Sequence, residues 1–211
     1  MNYRSSFAIA VVLSAGFGTA YSQTTRIRNA RPASTPAASP AAKADDGDWA
    51  GYNRTLTSDR YSPLAQVTTV NVGGLKQVCT FDVGEGGNFQ SGIIVIDGTL
   101  YVTTDTNTEA IDAATCRQRW KHHYNNPTPE GLRVNRGAAY ADGKLFRGIN
   151  AGYLMALDAN TGKFLWEKKM ADPVKGESVP AAPIAWNGMI FSTCSRSRKR
   201  DRLPQRLRQS G

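Results

Sequence analysis

The chain has 211 residues, of which 40% are hydrophobic and 20% are charged. This ordinary globular composition excludes disorder throughout. The formal net charge of +9 lies at the two ends, because residues 1–43 and 192–211 are rich in Arg and Lys while residues 44–191 are nearly neutral. A nucleic-acid-binding protein usually gathers its positive charge on a folded face, so we expect no nucleic-acid partner. No apolar run is long enough for a membrane span.

The N-terminus has the pattern of a secretory signal peptide, predicted over residues 1–22. Arg4 supplies a positive charge, residues 7–13 form a short apolar run, and small residues follow. The alternative is a buried strand or helix at the N-terminus. Residues 23–44, rich in Pro, Ala and Ser, predict a mobile linker. No cysteine precedes Cys79, which excludes lipid modification at the cleavage point, and export would permit disulfides.

Three apolar hairpins recur along the chain. Gly98, Gly143 and Gly188 follow one another at steps of 45 residues, each preceded by Asp or Asn and flanked by apolar residues. Asp-Gly and Asn-Gly suit a two-residue hairpin turn, because these residues tolerate a positive φ. The folded region, predicted over residues 45–191, is therefore built from antiparallel strands.

A second motif follows the first two hairpins and occurs as Ala110–Trp120 and Ala156–Trp166. It consists of an apolar strand, an Asp that opens a polar turn, and a strand that ends in Trp. We expect the Asp to accept hydrogen bonds from turn N–H groups and the Trp ring to lie on a neighbouring unit. Four strands in about 45 residues indicate a β-propeller blade. The predicted fold is all-β, a partial propeller of about two and a half four-stranded blades.

Four further segments stand in a fixed order along the chain: Asp48-Trp49-x-x-Tyr52-Asn53, Arg60-Tyr61-Ser62-Pro63-Leu64, Val134-Asn135-Arg136-Gly137 and Gly176-Glu177-Ser178-Val179-Pro180. Together they resemble segments of the quinoprotein alcohol dehydrogenases, which use pyrroloquinoline quinone (PQQ). The two Trp-ending repeats look like the tryptophan-docking motif of that family. The resemblance implies part of an eight-bladed propeller from an enzyme that oxidises an alcohol by hydride transfer to the quinone. It also implies PQQ and calcium as cofactors, an acceptor such as a cytochrome c, and a periplasmic location.

The resemblance also assigns candidate cofactor-binding residues. Arg136 of the Asn-Arg-Gly motif is expected to bind a PQQ carboxylate, which a planar guanidinium suits well. Gln90 stands where the family has an acidic residue that contacts PQQ, and Pro180 replaces a family threonine. The metal ligands and the catalytic aspartate of the family belong to later blades, so no metal ligand or catalytic residue is assigned. We expect the chain to be truncated, inactive alone, and a weak binder of PQQ and calcium.

The cysteines, histidines and basic tail are interpreted separately. Cys79, in an expected strand, and Cys116, at the turn of the first unit, either form a disulfide or remain two thiols. His122 and His123 are interpreted as solvated loop residues, because no Asp, Glu or Cys lies at ligand spacing beside them. Residues 192–211 are interpreted as a departure from the natural reading frame or a truncation rather than an RNA-binding arm.

The alternative function is a non-enzymatic periplasmic propeller that binds or assembles other proteins, since a fold does not determine a function. Propeller lipoproteins of that kind need a lipidated N-terminal cysteine, which this sequence lacks. That function would also leave Arg136 without an evident role.

Overall fold

The computed structural model describes residues 8–11, 47–84, 89–125 and 134–196. These residues form an all-β structure with two short 3-10 helices, Val72–Gly74 and Pro173–Lys175. The strands are β1 Ala8–Val11, β2 Ile94–Ile96, β3 Thr99–Thr103, β4 Asn107–Asp112, β5 Gln118–His123, β6 Ala138–Ala141, β7 Lys144–Ile149, β8 Tyr153–Asp158, β9 Phe164–Lys169, β10 Glu177–Ser178, β11 Ile184–Trp186, β12 Met189–Ser192 and β13 Ser195–Arg196.

Strands β2–β5 and β6–β9 form two four-stranded antiparallel sheets in sequence order, which we call blade one and blade two. The two sheets even share an irregularity, a register shift between Ala110 and Ile111 in blade one and between Ala156 and Leu157 in blade two. They are therefore two copies of one structural unit, and the predicted partial propeller is confirmed.

The hairpin turns have the backbone geometry that the sequence predicts. Asp97 has φ 46° and Gly98 has φ 66°, so both central residues adopt the positive φ of a type I′ turn. The other two hairpins repeat this geometry at Asp142-Gly143 and Asn187-Gly188.

The Asp of the second motif orders its turn in both blades. Asp158 accepts hydrogen bonds at Oδ1 from the N–H and the hydroxyl of Thr161, at 2.9 and 2.8 Å. Asp112 accepts the same pair from Thr115, at 3.0 and 2.8 Å. Asp112 also receives a 2.7 Å hydrogen bond from Arg119, and these bonds together lower the pKa of Asp112 to about 2. The predicted structural role of both carboxylates is confirmed.

Blade one and blade two meet at a contact that we call the tryptophan seam, formed by Tyr101, Trp120, Ala159 and Gly162. The indole N–H of Trp120 donates to the carbonyl of Ala159 at 2.9 Å, and the hydroxyl of Tyr101 donates to the same carbonyl at 3.2 Å. A Cβ atom on Gly162 would lie 2.5 Å from a ring carbon of Trp120. Only glycine therefore lets the ring lie this close to the neighbouring turn.

A buried arginine also ties the two blades together. The Arg147 side chain on β7 is among the largest that are fully buried. Its guanidinium donates to the carbonyls of Thr104, Asp105 and Asn107 and to the hydroxyl of Thr108, at 2.6 to 3.0 Å. The fifth N–H group donates to the carbonyl of Gly148. Every donor of the buried charge is thus satisfied, mostly by atoms of blade one.

A third unit begins with the β11–β12 hairpin. Strand β1 pairs in parallel with β12, and β13 pairs with β10. The fold thus includes residues 192–196, the start of the predicted basic tail, whereas residues 197–211 lie outside the described residues. Most of the predicted signal peptide and all of the predicted linker also lie outside them, so these remain predictions.

Two local predictions are wrong. Residues 77–81 around Cys79 form no strand, because no other described strand lies beside them to complete a ladder. The second wrong prediction concerns His122 and His123, which lie in strand β5 rather than in a loop, with His122 half-buried.

Cys79 and Cys116 are joined as a disulfide with a Cα–Cα distance of 5.9 Å. The first of the two alternatives for these cysteines is therefore confirmed.

Candidate cofactor-binding site

The segments that lead into the first strand of each unit are joined backbone to backbone. The N–H group of Gly92 donates to the carbonyl of Arg136 at 3.0 Å, and the N–H group of Arg136 donates to the carbonyl of Pro180 at 2.9 Å. These residues are equally spaced along the chain, so the repeat itself brings them together. We call residues 90–92, 134–137 and 179–181 the entry arc.

A buried polar cluster supports the middle of the entry arc. Asn135 is 4% exposed and accepts hydrogen bonds from the hydroxyl of Thr103 at 2.6 Å and the N–H of Gly137 at 3.0 Å. Its amide donates to the carbonyl of Gly148 at 2.8 Å. Ser91 lies 3.0 Å from the Thr103 hydroxyl, which links this cluster to the first segment of the arc. The cluster therefore fixes the backbone on both sides of Arg136.

Glycines allow the strands around the arc to approach closely. Gly137 has φ 125°, and a Cβ atom there would lie 2.8 Å from the carbonyl oxygen of Gly92. A Cβ atom on Gly148 would lie 2.0 Å from the carbonyl oxygen of Val179. A larger residue at Gly137 would push two segments of the arc apart, and a larger residue at Gly148 would push the arc away from β7.

The two residues that the resemblance assigns to cofactor binding, Arg136 and Gln90, belong to this arc, as does Pro180, which replaces a family threonine. The Arg136 side chain is exposed, and its guanidinium has no hydrogen bond or ion pair with the other described residues. Gln90 is also exposed and lies two residues before Gly92, which is bonded to Arg136. Pro180 is buried and contributes its carbonyl to the arc.

The sequence interpretation missed the supporting residues. Asn135 directly precedes Arg136 in the Asn-Arg-Gly motif, so the motif contained a signal for it. Ser91 and Thr103 carry no local signal, because only the pairing of distant segments brings their hydroxyls to Asn135.

The donors exposed on the arc fit a quinone that bears carboxylates. A guanidinium pairs with a carboxylate through two parallel hydrogen bonds, and an amide can donate a further one. A metal ion fits less well, since no group of three or more His, Cys, Asp or Glu side chains is clustered among the described residues. Calcium usually takes six to eight oxygen ligands, so these residues could supply only part of such a site. Among the described residues, no helix is long and apolar enough to cross a membrane.

Comparison with known proteins identifies the family. Residues 49–171 match the profile of the PQQ-dependent glucose/ethanol/alcohol dehydrogenase β-propeller domain. This chain belongs to that family. The match confirms the family that the sequence segments and the two Trp-ending repeats resemble.

Individual relatives agree with the family profile. The dehydrogenase subunit of a quinone-dependent alcohol dehydrogenase from Gluconacetobacter polyoxogenes is 40% identical over 140 residues, which are 62% of this chain and 19% of that protein. A 1-butanol dehydrogenase (cytochrome c) from Thauera butanivorans is 33% identical over 151 residues, 68% of this chain and 22% of that protein. A solved europium-containing methanol dehydrogenase superposes with a TM-score of 0.61 at 31% identity, covering 71% of this chain and 28% of its own. The chain thus spans about a fifth to a quarter of the length of these proteins.

Proposed function

We propose that this chain supplies the first blades of a PQQ-dependent alcohol dehydrogenase and that the entry arc binds one side of the cofactor. The state of Arg136 is the observation that carries this proposal. Its N–H and carbonyl groups are both held by neighbouring segments, while its guanidinium is exposed and unpaired among the described residues. A rigid backbone with a free charged side chain is what a binding residue needs, because little order has to be gained when the ligand arrives.

Arg136 and Gln90 have complementary roles in this proposal. Arg136 donates two N–H groups to a carboxylate of the cofactor and neutralises its charge. Gln90 donates its amide N–H to a second oxygen and contributes no charge. When bound, PQQ supplies the chemistry of the reaction by accepting a hydride from the alcohol carbon.

The buried cluster determines the direction of the Arg136 side chain. Asn135 holds the N–H of Gly137 and the hydroxyl of Thr103, so the residues beside Arg136 cannot rotate independently. Because Asn135 itself faces the protein interior, it is a positioning residue rather than a ligand. The cluster thus prepares the arc for the cofactor without contacting it.

The metal, the partners and the location remain part of the proposal. We expect calcium or another metal beside PQQ, an alcohol substrate, a cytochrome c acceptor and a periplasmic location. The name of the 1-butanol dehydrogenase (cytochrome c) supports a cytochrome c acceptor. The name of the europium-containing methanol dehydrogenase supports a metal beside the cofactor. The isolated chain is proposed to be inactive, because its described residues provide neither a metal-binding cluster nor an assigned catalytic base.

Titration of the purified chain with PQQ tests the role of Arg136. We expect Arg136→Ala to weaken PQQ binding at least tenfold, since it removes a charge-assisted pair of hydrogen bonds worth more than about 1.4 kcal/mol. Arg136→Lys should retain the charge and show an intermediate affinity. Arg119→Ala is the matched control, because Arg119 lies on the outer strand β5 and should leave the affinity unchanged.

Equal PQQ affinity of the parent chain and Arg136→Ala would refute the assigned role. Substitution of Asn135 by Asp offers a second comparison, because it keeps the shape of the side chain and removes the amide donor to Gly148. We expect a smaller loss of affinity there than with Arg136→Ala.

A further inference from the structure

The two polar turns of blades one and two differ at one position of the repeat. Cys116 occupies in blade one the place that Gly162 occupies in blade two. Both residues have a positive φ, 54° for Cys116 and 69° for Gly162. The backbone of the turn is therefore the same, and only the side chain at its tip has changed.

What lies against this turn differs as well. In the tryptophan seam, Gly162 receives the ring of Trp120 from the preceding blade. At the equivalent turn, Cys116 receives the side chain of Cys79 through a disulfide. Cys79 lies 19 residues before Gly98 of the first hairpin, and Trp120 lies 23 residues before Gly143 of the second. The cysteine pair thus takes the place of the tryptophan–glycine pair.

The burial of the two turns agrees with this correspondence. Ala159 is 2% exposed and its carbonyl accepts hydrogen bonds from Trp120 and Tyr101. Its counterpart Ala113 is exposed, because the smaller cysteine side chain does not cover the turn. The contact at blade one consequently lacks the apolar packing and the indole hydrogen bond of the tryptophan seam.

The chain around Cys79 depends on the disulfide. Among the described residues, no backbone hydrogen bond connects residues 76–83 to any other segment. Val78 is 83% exposed and Leu75 is 63% exposed, so apolar packing of these two side chains contributes little. Phe81 and Val83 are half-buried, and the disulfide is the bonded attachment of this segment to blade one among the described residues.

We propose that the Cys79–Cys116 disulfide is a covalent and redox-sensitive replacement for the tryptophan–glycine contact. It holds residues 75–84 against blade one, where the next seam uses the packing of an indole ring. Reduction by a dithiol breaks the S–S bond and forms two thiols, while the dithiol loses two electrons and two protons and becomes a cyclic disulfide. The segment is then released, and the tryptophan seam remains intact.

Tryptic cleavage after Lys76 measures the release of the segment. The parent chain should be cleaved at least fivefold faster in dithiothreitol than without it. The Cys79→Ala/Cys116→Ala variant should be cleaved rapidly in both conditions. The exchange variant Cys79→Trp/Cys116→Gly, which copies the tryptophan seam, should be cleaved slowly in both. All of these chains carry Cys194→Ser, which removes the remaining thiol and prevents disulfide exchange.

Two results would overturn the proposal. One is cleavage of a folded exchange variant as rapid as that of the alanine pair, with folding verified by circular dichroism. The other is cleavage of the parent chain at the same rate with and without dithiothreitol. Either would show that the two contacts are not equivalent.

A reciprocal substitution tests the same equivalence where the exchange variant does not fold. Trp120→Cys/Gly162→Cys places two cysteines in the tryptophan seam. We expect a crosslink between positions 120 and 162 after air oxidation, detected by peptide mapping alongside the natural disulfide. A chain that retains the Cys79–Cys116 disulfide but shows no new crosslink would contradict the proposal.

Discussion

Blade two and the third unit begin with the same hairpin pattern, yet they are buried to different extents. Phe146 of blade two is 0% exposed, whereas Phe191 at the equivalent position of the third unit is half-buried. Ile184 of the third unit is 53% exposed, whereas Ala139 at the equivalent position of blade two is 2% exposed. Both hairpins have the same turn geometry, so the difference does not come from local sequence. It comes from neighbours, because each unit of a repeat structure buries its apolar faces mainly against the adjacent units.

Of the substitutions considered, removal of the buried Arg147 side chain between the blades should lower the free energy of unfolding most. Arg147→Met removes the guanidinium donors to the carbonyls of Thr104 and Asp105. The carbonyl of Asn107 keeps its hydrogen bond from the N–H of Thr104. Each unsatisfied buried acceptor costs about 1 to 3 kcal/mol, so we expect the free energy of unfolding to fall by about 3 kcal/mol or more. Urea denaturation followed by circular dichroism measures this loss.

Arg119→Met is the control for this substitution. Arg119 forms an exposed ion pair with Asp112, and such pairs contribute about 1 kcal/mol or less. If the two substitutions reduced stability equally, burial of Arg147 at the seam would not explain its contribution.

The next largest difference in stability is expected between substitutions of Trp120 and of Trp186. Trp120 packs against blade two and donates to Ala159, whereas Trp186 is half exposed. Trp120→Ala should lower the free energy of unfolding by about 3 kcal/mol, and Trp186→Ala by less than about 1 kcal/mol. Similar losses in urea denaturation would mean that the neighbouring blade does not determine the value of the ring.

The sequence predicted the parts of this fold that depend on local patterns. The three Asp-Gly and Asn-Gly turns, the four strands of each blade and the role of Asp112 and Asp158 follow from short-range turn chemistry. Arg136 and Gln90 came from the family resemblance. The structure places both on the entry arc, and their role in binding PQQ stays a prediction.

The remaining features depend on contacts between distant segments. Nothing next to Arg147 in the sequence indicates that its guanidinium reaches the β3–β4 turn. The strand predicted around Cys79 is missing because a strand needs a partner, which local propensity does not supply. The absence of ligand-type neighbours argues against a metal site at His122 and His123, but it does not distinguish a loop from the outer strand β5 in which both lie.

Gly137 and Gly143 allow the effect of close packing on stability to be distinguished from the effect of backbone conformation. Gly137 and Gly143 both have a positive φ, but an added methyl group would lie within 3 Å of a backbone atom only at Gly137. Gly143→Ala should cost about 1 kcal/mol from the conformation alone. Gly137→Ala should cost about 1 to 2 kcal/mol more, because the methyl group displaces Gly92.

The same glycine pair tests the entry arc as a binding surface. Gly137→Ala should also weaken PQQ binding, since it moves the segment that follows Arg136, while Gly143→Ala should not. Thermal unfolding and PQQ titration of the two variants supply the comparison. A Gly137→Ala chain with unchanged affinity would show that the arc tolerates displacement.

The smallest expected effect is a pH dependence at the tryptophan seam. Burial lowers the pKa of His122 below its usual value of 6.5, a hydrogen bond with the backbone of Gly162 opposes this, and the nearby charges of Arg147 and His123 lower the pKa further. The folded chain therefore binds this proton less readily than the unfolded chain does. Its contribution to stability is complete above pH 6.5 and is lost as the pH falls from 6.5 through the lower pKa of the folded state.

Urea midpoints between pH 8 and pH 5 measure this dependence. His122→Gln should flatten the decline in the midpoint below pH 6.5, because glutamine does not titrate. His123→Gln is the matched control and should keep most of the decline, since it leaves His122 in place. If the urea midpoint of His122→Gln declined as steeply as that of the parent chain, other groups would cause the acid sensitivity. The burial of His122 would then have no effect on the pH dependence of stability.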